Sequence, residues 1–336
     1  MSDQKTAIIG LGYALPAKIR KNDDKIFDWL RHNHPEGSDL FEGLRDRRVI
    51  EAPETLVGLM IEASNKALAD AGMSVDQVDL LIGYASVSEY DAPNGLLEIH
   101  HKMKLPGTCR CLAVNTEYTN FLDAMKLAND MIEVGTVRNA LVVVGNNWTA
   151  HMDYHDAVSI AAGDGAGAAV VGPTSDVGKF RLIDWENLTD SKYYGAFQIM
   201  PRPLEEPEPH SEYGNFTTPL MKLDPKMGPE AFKEFGMMVP PQVVNNLIGR
   251  HGLKASEITL VAHQVSSKVS NAWQGAIHAG QYISTLEELA DMVSSSQAVN
   301  LARCYDEIEN DYLVLMGVGM AMHATAMLYR RERPVN

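Results

Sequence analysis

An α/β fold built from two similar halves is predicted by three features of the sequence: a faint internal duplication, short continuous apolar runs, and helical periodicity ahead of those runs. The duplication reads in two places. Ala67–Gly72, followed by VDQVDLLIG, has the order helix end, glycine stop, polar turn and apolar run into Gly83. LIGRHGLKASEITLVAH repeats that order, with Gly252 in the place of Gly72 and His263 in the place of Gly83, and the loops that follow, YASVS and QVSS, correspond. Asn139–Gly145 (NALVVVG) and Asp311–Gly317 (DYLVLMG) form a second pair. Runs this continuous are the pattern of parallel strands buried on both faces.

In chain order, Ala7–Leu15 is an apolar run flanked by Asp3 and a single Lys5, which suits a buried first strand better than a leader peptide. Leu56–Ala71, Phe121–Val134 and Glu230–His251 carry apolar residues at three- and four-residue spacing and are expected to be helices. Ser159–Val171 (SIAAGDGAGAAVV) feeds a glycine turn into an apolar strand. It lacks the lysine of a phosphate-binding loop and the glycine spacing of a dinucleotide site, so its glycines are read as permitting close backbone packing beneath a catalytic centre. Asn187–Lys226 is rich in Pro, Tyr and acidic residues without clear periodicity and is read as a long insertion or lid. The halves then fall at residues 1–172 and 173–336.

Composition narrows the function. The 336 residues carry a net charge of −15, which repels nucleic acid phosphates, and no basic run offers a local exception. No segment reaches the roughly 20 consecutive apolar residues of a membrane helix, so no membrane role is expected. Cys109, Cys111 and Cys304 are an odd set that suits a reducing cytoplasm. Cys109 and Cys111 have no second ligand pair nearby and are read as structural thiols, with no metal site.

GLGYALPAK near the start, FEGLRDRRV at 41–49, DLLIGYASV, ALVVVGNN, the glycine run at 159–171 and VAHQ at 261–264 occur in order along nearly the whole chain. Together they resemble the thiolase superfamily, in its β-ketoacyl-acyl-carrier-protein synthase III branch. The resemblance implies a five-layered αβαβα body from two duplicated halves, assembled as a homodimer or as a heterodimer with a homologue. It also implies acyl transfer or decarboxylative condensation of thioesters carried on coenzyme A or the phosphopantetheine of acyl carrier protein, with no permanently bound cofactor.

That branch uses a cysteine nucleophile with a histidine and an asparagine. Its nucleophile segment matches Ala113–Phe121 (AVNTEYTNF), which puts Tyr118 at the cysteine position. A phenol has a pKa near 10 against about 8.5 for a thiol and is a poor acyl acceptor. His263 matches the carbonyl-binding histidine. The asparagine segment falls on Met292–Ser296, with no Asn at its head and Asn300 several positions late. Glu117, beside the lost nucleophile at a helix N-terminus, is expected to have a lowered pKa and to serve as a base or a helix cap. The backbone N–H groups of Tyr118, Gly319 and Met320 are implied as an oxyanion hole, with His323 close by. Glu89 and Asp91 lie in a loop that in this family crosses the dimer. Trp29 is implied at the coenzyme A nucleotide, with Phe41 where the family has an arginine, and Lys233, Arg250 and Lys254 as contacts for an acidic carrier. Two functional readings follow: an acyltransferase or condensing enzyme working without a cysteine acyl-enzyme, or a non-catalytic subunit paired with a cysteine-bearing homologue.

Overall fold

The computed structural model describes residues 4–34, 39–90, 92–200 and 220–332. The first half holds β1 (Lys5–Ala14), β2 (Lys18–Lys21), α1 (Asp28–Asn33), β3 (Asp46–Val49), α2 (Leu56–Asp70), β4 (Leu80–Ala85), α3 (Leu96–Lys102), β5 (Arg110–Ala113), α4 (Asn120–Glu133), β6 (Ala140–Asn146) and β7 (Gly165–Thr174). The second holds β8 (Arg181–Thr189), β9 (Phe197–Met200), β10 (Leu220–Leu223), α5 (Met227–Ala231), α6 (Val239–Arg250), β11 (Ile258–Ala262), α7 (Ser267–Ile277), β12 (Gln281–Ile283), α8 (Leu286–Leu289), α9 (Ser296–Arg303), β13 (Tyr312–Gly319) and β14 (His323–Arg330).

Two five-stranded sheets carry the fold, ordered β1-β7-β6-β4-β5 and β8-β14-β13-β11-β12. The second order is the first with each strand replaced by its counterpart, which is the duplication in three dimensions. Side-chain alternation sorts each strand between two cores. Ile82, Val142 and Ala169 of the first sheet and Val261, Leu315 and Met327 of the second share one core with Phe121 and Met125 of α4 and Leu301 of α9. The intervening residues Leu81, Val143 and Val170 face α2 and α3. Leu260, Val314 and Leu328 face α6 and α7. The order is therefore helices, sheet, α4 with α9, sheet, helices: five layers.

Both glycine stops adopt the left-handed conformation, Gly72 at φ +63° and Gly252 at +65°, which explains why glycine ends both helices. The two repeats identified in the sequence are, however, two residues out of step with each other. Leu80 pairs with Ala140, whereas Tyr312, the partner that the sequence pairing gives to Leu260, lies opposite Ile258. A shift of two keeps every side chain on its face, so periodicity alone does not detect it.

Two segments differ from expectation. Glu230–His251 is not one helix: α5 runs into a π-helix over Phe232–Gly236, and α6 restarts at Val239. Pro240 and Pro241 have no amide donors, so they fit only a first turn. The irregular stretch begins later than Asn187, because β8 runs to Thr189, and it contains the hairpin β9–β10. Its residues 201–219 lie outside the described residues. Among the described residues, no helix is long and apolar enough to cross a membrane.

The middle layer supports both sheets, so its loss is felt twice. Phe121 is fully buried there. Phe121→Ala is expected to lower stability by about 3–5 kcal/mol, read as a shifted urea midpoint with little change in slope.

Candidate active site

Both central helices begin at one cavity of about 560 Å³. Its described walls include Trp148, Met152, Ile160, Phe197, Met221 and Phe232, with Tyr118, His263 and Asp291 among its polar groups. The turn from β5 into α4 delivers Tyr118. Glu117 and Tyr118 have φ of +23° and +71°, a conformation that side-chain-bearing residues seldom adopt. The turn is pinned by Asn120 Nδ2 donating to the Val114 carbonyl at 3.1 Å and by the Glu117 amide donating to Asn115 Oδ1 at 3.4 Å. The Tyr118 ring lies 5.0 Å from the His263 ring, and its hydroxyl donates to Met221 Sδ at 3.1 Å. Burial pushes the Tyr118 phenol well above its ordinary pKa, so it stays protonated.

His263 follows β11 directly and is anchored by its amide donating to the Met316 carbonyl at 2.9 Å. Its Nε2 lies 3.1 Å from Asp291 Oδ1. Sequence reasoning missed Asp291. It stands one residue before the segment matched at Met292–Ser296, so extending that match by one residue would have put a carboxylate at its head. The Val293 amide and Ser296 Oγ also donate to Asp291 Oδ1, at 2.7 and 3.4 Å. The glycine-rich run holds the other side. The Asp291 amide donates to the Ala161 carbonyl at 2.7 Å, and the Gly163 amide donates to the Asp291 carbonyl at 2.9 Å. A Cβ on Gly163 would lie 2.3 Å from the Leu289 carbonyl oxygen, and one on Gly167 2.9 Å from the α9 backbone. Gln264 Nε2 donates to the Ala290 carbonyl at 3.0 Å. Asn300 donates to Gln264 Oε1 at 2.9 Å, which makes Asn300 a buried brace for that side chain.

Glu117 departs from expectation. Burial, acting against a hydrogen bond from the Tyr118 backbone, pushes its carboxyl up to about 8, where the helix N-terminus was expected to lower it. Desolvation of a charge outweighs the dipole here because Glu117 Oε2 has no hydrogen-bond partner. Gly319 and Met320 line the cavity. His323 lies behind that wall: its Nε2 is 2.5 Å from Thr119 Oγ1, which donates to Asp123 at 2.9 Å. Burial lowers the His323 pKa, so the ring is neutral at pH 7.

The remaining expected residues are dispersed. Trp29 is half-exposed on α1, edge-on to His155 at 4.5 Å, and is not among the residues lining the cavity. Phe41 packs on the Phe27 ring. Glu89 is exposed, and Asp91 lies outside the described residues. Lys233, Arg250 and Lys254 do not form one patch. Lys233 precedes the 12 residues of α6, whereas Arg250 is its last residue and Lys254 lies beyond it, across roughly 18 Å of helix. Arg250 is also held by Asp184, at 3.1 Å, and by Glu186. Lys268, five residues after His263, is the one Lys or Arg among the described cavity-lining residues. Cys109 and Cys304 are buried, Cys111 is half-buried, and none is among those residues. Among the described residues, no cluster of His, Cys, Asp and Glu could hold a metal ion.

Residues 113–191 match the family model for 3-oxoacyl-[acyl-carrier-protein] synthase III. The β-ketoacyl-[acyl-carrier-protein] synthase III of Sodalis glossinidius is 27% identical over 309 residues, 91% of each chain. The priming β-ketosynthase of the R1128 polyketide biosynthetic pathway superposes with a TM-score of 0.81 at 20% identity, over 99% of each chain. Xanthomonas campestris OleA with bound lauric acid and lauroyl-CoA superposes at 0.82 and 17% identity, over 97% of this chain and 99% of that one. With the same five layers, a matched segment that runs through the Tyr118 turn, and a relative aligned over 91% of the chain, the protein is similar along most of its length to the β-ketoacyl-acyl-carrier-protein synthases III.

Proposed function

We propose that the protein takes an acyl group from a coenzyme A or acyl-carrier-protein thioester and passes it on without a cysteine acyl-enzyme, in specialised metabolism in the cytoplasm. The observation that supports this most is a cavity in which His263 and Asp291 are bonded beside a protonated Tyr118 and no cysteine lines the described wall. The apolar wall suits an aliphatic acyl group. Lys268 at the start of α7 suits a phosphate on the thioester carrier. A homodimer is the expected assembly.

In direct transfer both substrates are bound together, and the barrier is lowered by proximity rather than covalency. The backbone N–H groups of Tyr118, Gly319 and Met320 receive the developing oxyanion, which no side-chain change at position 118 removes. The hydrogen-bonded His263–Asp291 pair handles the proton. Glu117 is neutral at pH 7, so it cannot be the resting base. It instead leaves the oxyanion site free of an opposing charge.

Intact-mass spectrometry after incubation with acyl- and malonyl-thioesters, paired with thiol-release kinetics, tests the reading. Turnover without any protein adduct is expected, falling about 100-fold or more in His263→Ala. Neither adduct nor turnover with any thioester would discard the stand-alone enzyme in favour of a subunit that needs a cysteine-bearing partner.

Glu117 gives a pH prediction. Its carboxyl binds a proton more tightly folded, at about 8, than unfolded, at 4.5. Between those values the folded state holds a proton that the unfolded chain has released, so stability falls as pH rises, approaching ~1.4 kcal/mol per pH unit. Glu117→Gln is expected to remove that slope, measured as the difference in urea midpoints from pH 5 to 9, and to preserve turnover above pH 8.

A further inference from the structure

We infer that the acyl acceptor is a heteroatom nucleophile, carrying O–H or N–H, and that Asp291 Oδ2 takes its proton. The inference rests on the acyl-transfer reading above and specifies the second substrate of that same site.

The argument starts from how the two oxygens of Asp291 are used. Oδ1 carries all three side-chain hydrogen bonds, from His263 Nε2, the Val293 amide and Ser296 Oγ. Oδ2 has no partner and is not sealed from solvent, and Asp291 lines the cavity. A carboxylate saturated with donors on one oxygen and open on the other is an oriented proton acceptor. The backbone fixes its direction, because Asp291 is bonded through both amide and carbonyl to the Ala161–Gly163 segment, as an isolated parallel bridge at Ala162.

The same placement works against a carbon nucleophile. A carbanion formed from a malonyl-type thioester puts negative charge on its enolate oxygen, which needs donors. Beside His263 the structure offers a carboxylate, an acceptor. Two like charges brought together in a low-dielectric cavity repel. An alcohol or amine reverses the sign, since it brings a donor hydrogen to an unfilled acceptor.

The step balances. The acceptor O–H or N–H gives its proton to Asp291 Oδ2 as its lone pair attacks the thioester carbonyl carbon. The tetrahedral oxyanion faces the backbone N–H groups of the Tyr118 and Gly319 turns. Collapse breaks the C–S bond, and the thiolate leaves with the proton from Asp291, giving an ester or amide and a free thiol.

Hydroxylamine and water are acceptors that presuppose no natural partner. With octanoyl-CoA, the wild-type protein is expected to release coenzyme A and form octanoyl hydroxamate. Asp291→Asn keeps an acceptor oxygen for the three Oδ1 donors but loses the proton-accepting carboxylate, so kcat is expected to fall at least 100-fold, with an unchanged Kd for octanoyl-CoA. In Asp291→Ala, added formate is expected to restore part of the rate, which a purely structural role would not allow. Retained hydroxamate formation in Asp291→Asn would overturn the inference. So would consumption of malonyl-CoA with release of carbon dioxide and a new C–C bond, which would leave the broader thioester reading standing. Failure of the wild-type protein to bind octanoyl-CoA or release thiol from any thioester would overturn both.

Discussion

One constraint organises this protein: α4 and α9 are buried between two sheets and must satisfy both at once. Phe121, Met125 and Ala128 of α4 and Ala298 and Leu301 of α9 are packed in the shared core, and exposure begins only at Leu127 and Arg303, toward the C-terminal ends of the helices. Chemistry is then confined to their ends. Both N-termini open on the same cavity, one through the Glu117–Tyr118 turn and the other through Asp291–Ser296, while β11 and β13 bring His263 and Gly319 to it from the second sheet. The duplication therefore does more than build a core. It brings two helix-entry segments, one from each half, to a single point.

Much of this was legible in the sequence. The apolar runs, the glycine stops and the helices α2 and α4 depend on local periodicity, and both helices fall within a residue of their expected bounds. What escaped depended on contacts distant in sequence. The two-residue offset between repeats is invisible to a period of two. The π-helix arises where a helix must restart at Pro240 and Pro241, and the β9–β10 hairpin pairs strands whose sequences show no alternation. At the site, His263 and Tyr118 were found by matching. Asp291 was passed over because the match sought an amide, and the burial that lifts Glu117 is set by the surrounding fold rather than by its position at a helix start.

The site also shows how strain and unsatisfied polarity are tolerated. Two consecutive side-chain-bearing residues at positive φ, and a buried Glu117 oxygen without a partner, are each unfavourable locally. They persist because the surrounding backbone is overdetermined: Asn120 fixes the turn from below, and Gln264 with Asn300 fixes the facing strand. Polar groups that never touch the cavity thus hold the geometry of those that do.

The contact of Gly163 with Leu289 has a consequence for ligand selection. Main chains from the two halves meet there with no room for a methyl group and are joined by the Asp291 and Gly163 amides, which gives the cavity a tightly packed frame. Its lining is softer, since Met152, Met221, Met320 and Met322 are all on the wall, and unbranched thioethers re-pack at little cost. A tightly packed frame with pliant walls yields to each added methylene by degrees, so homologous acyl chains would be ranked along a gradient rather than cut off at one length.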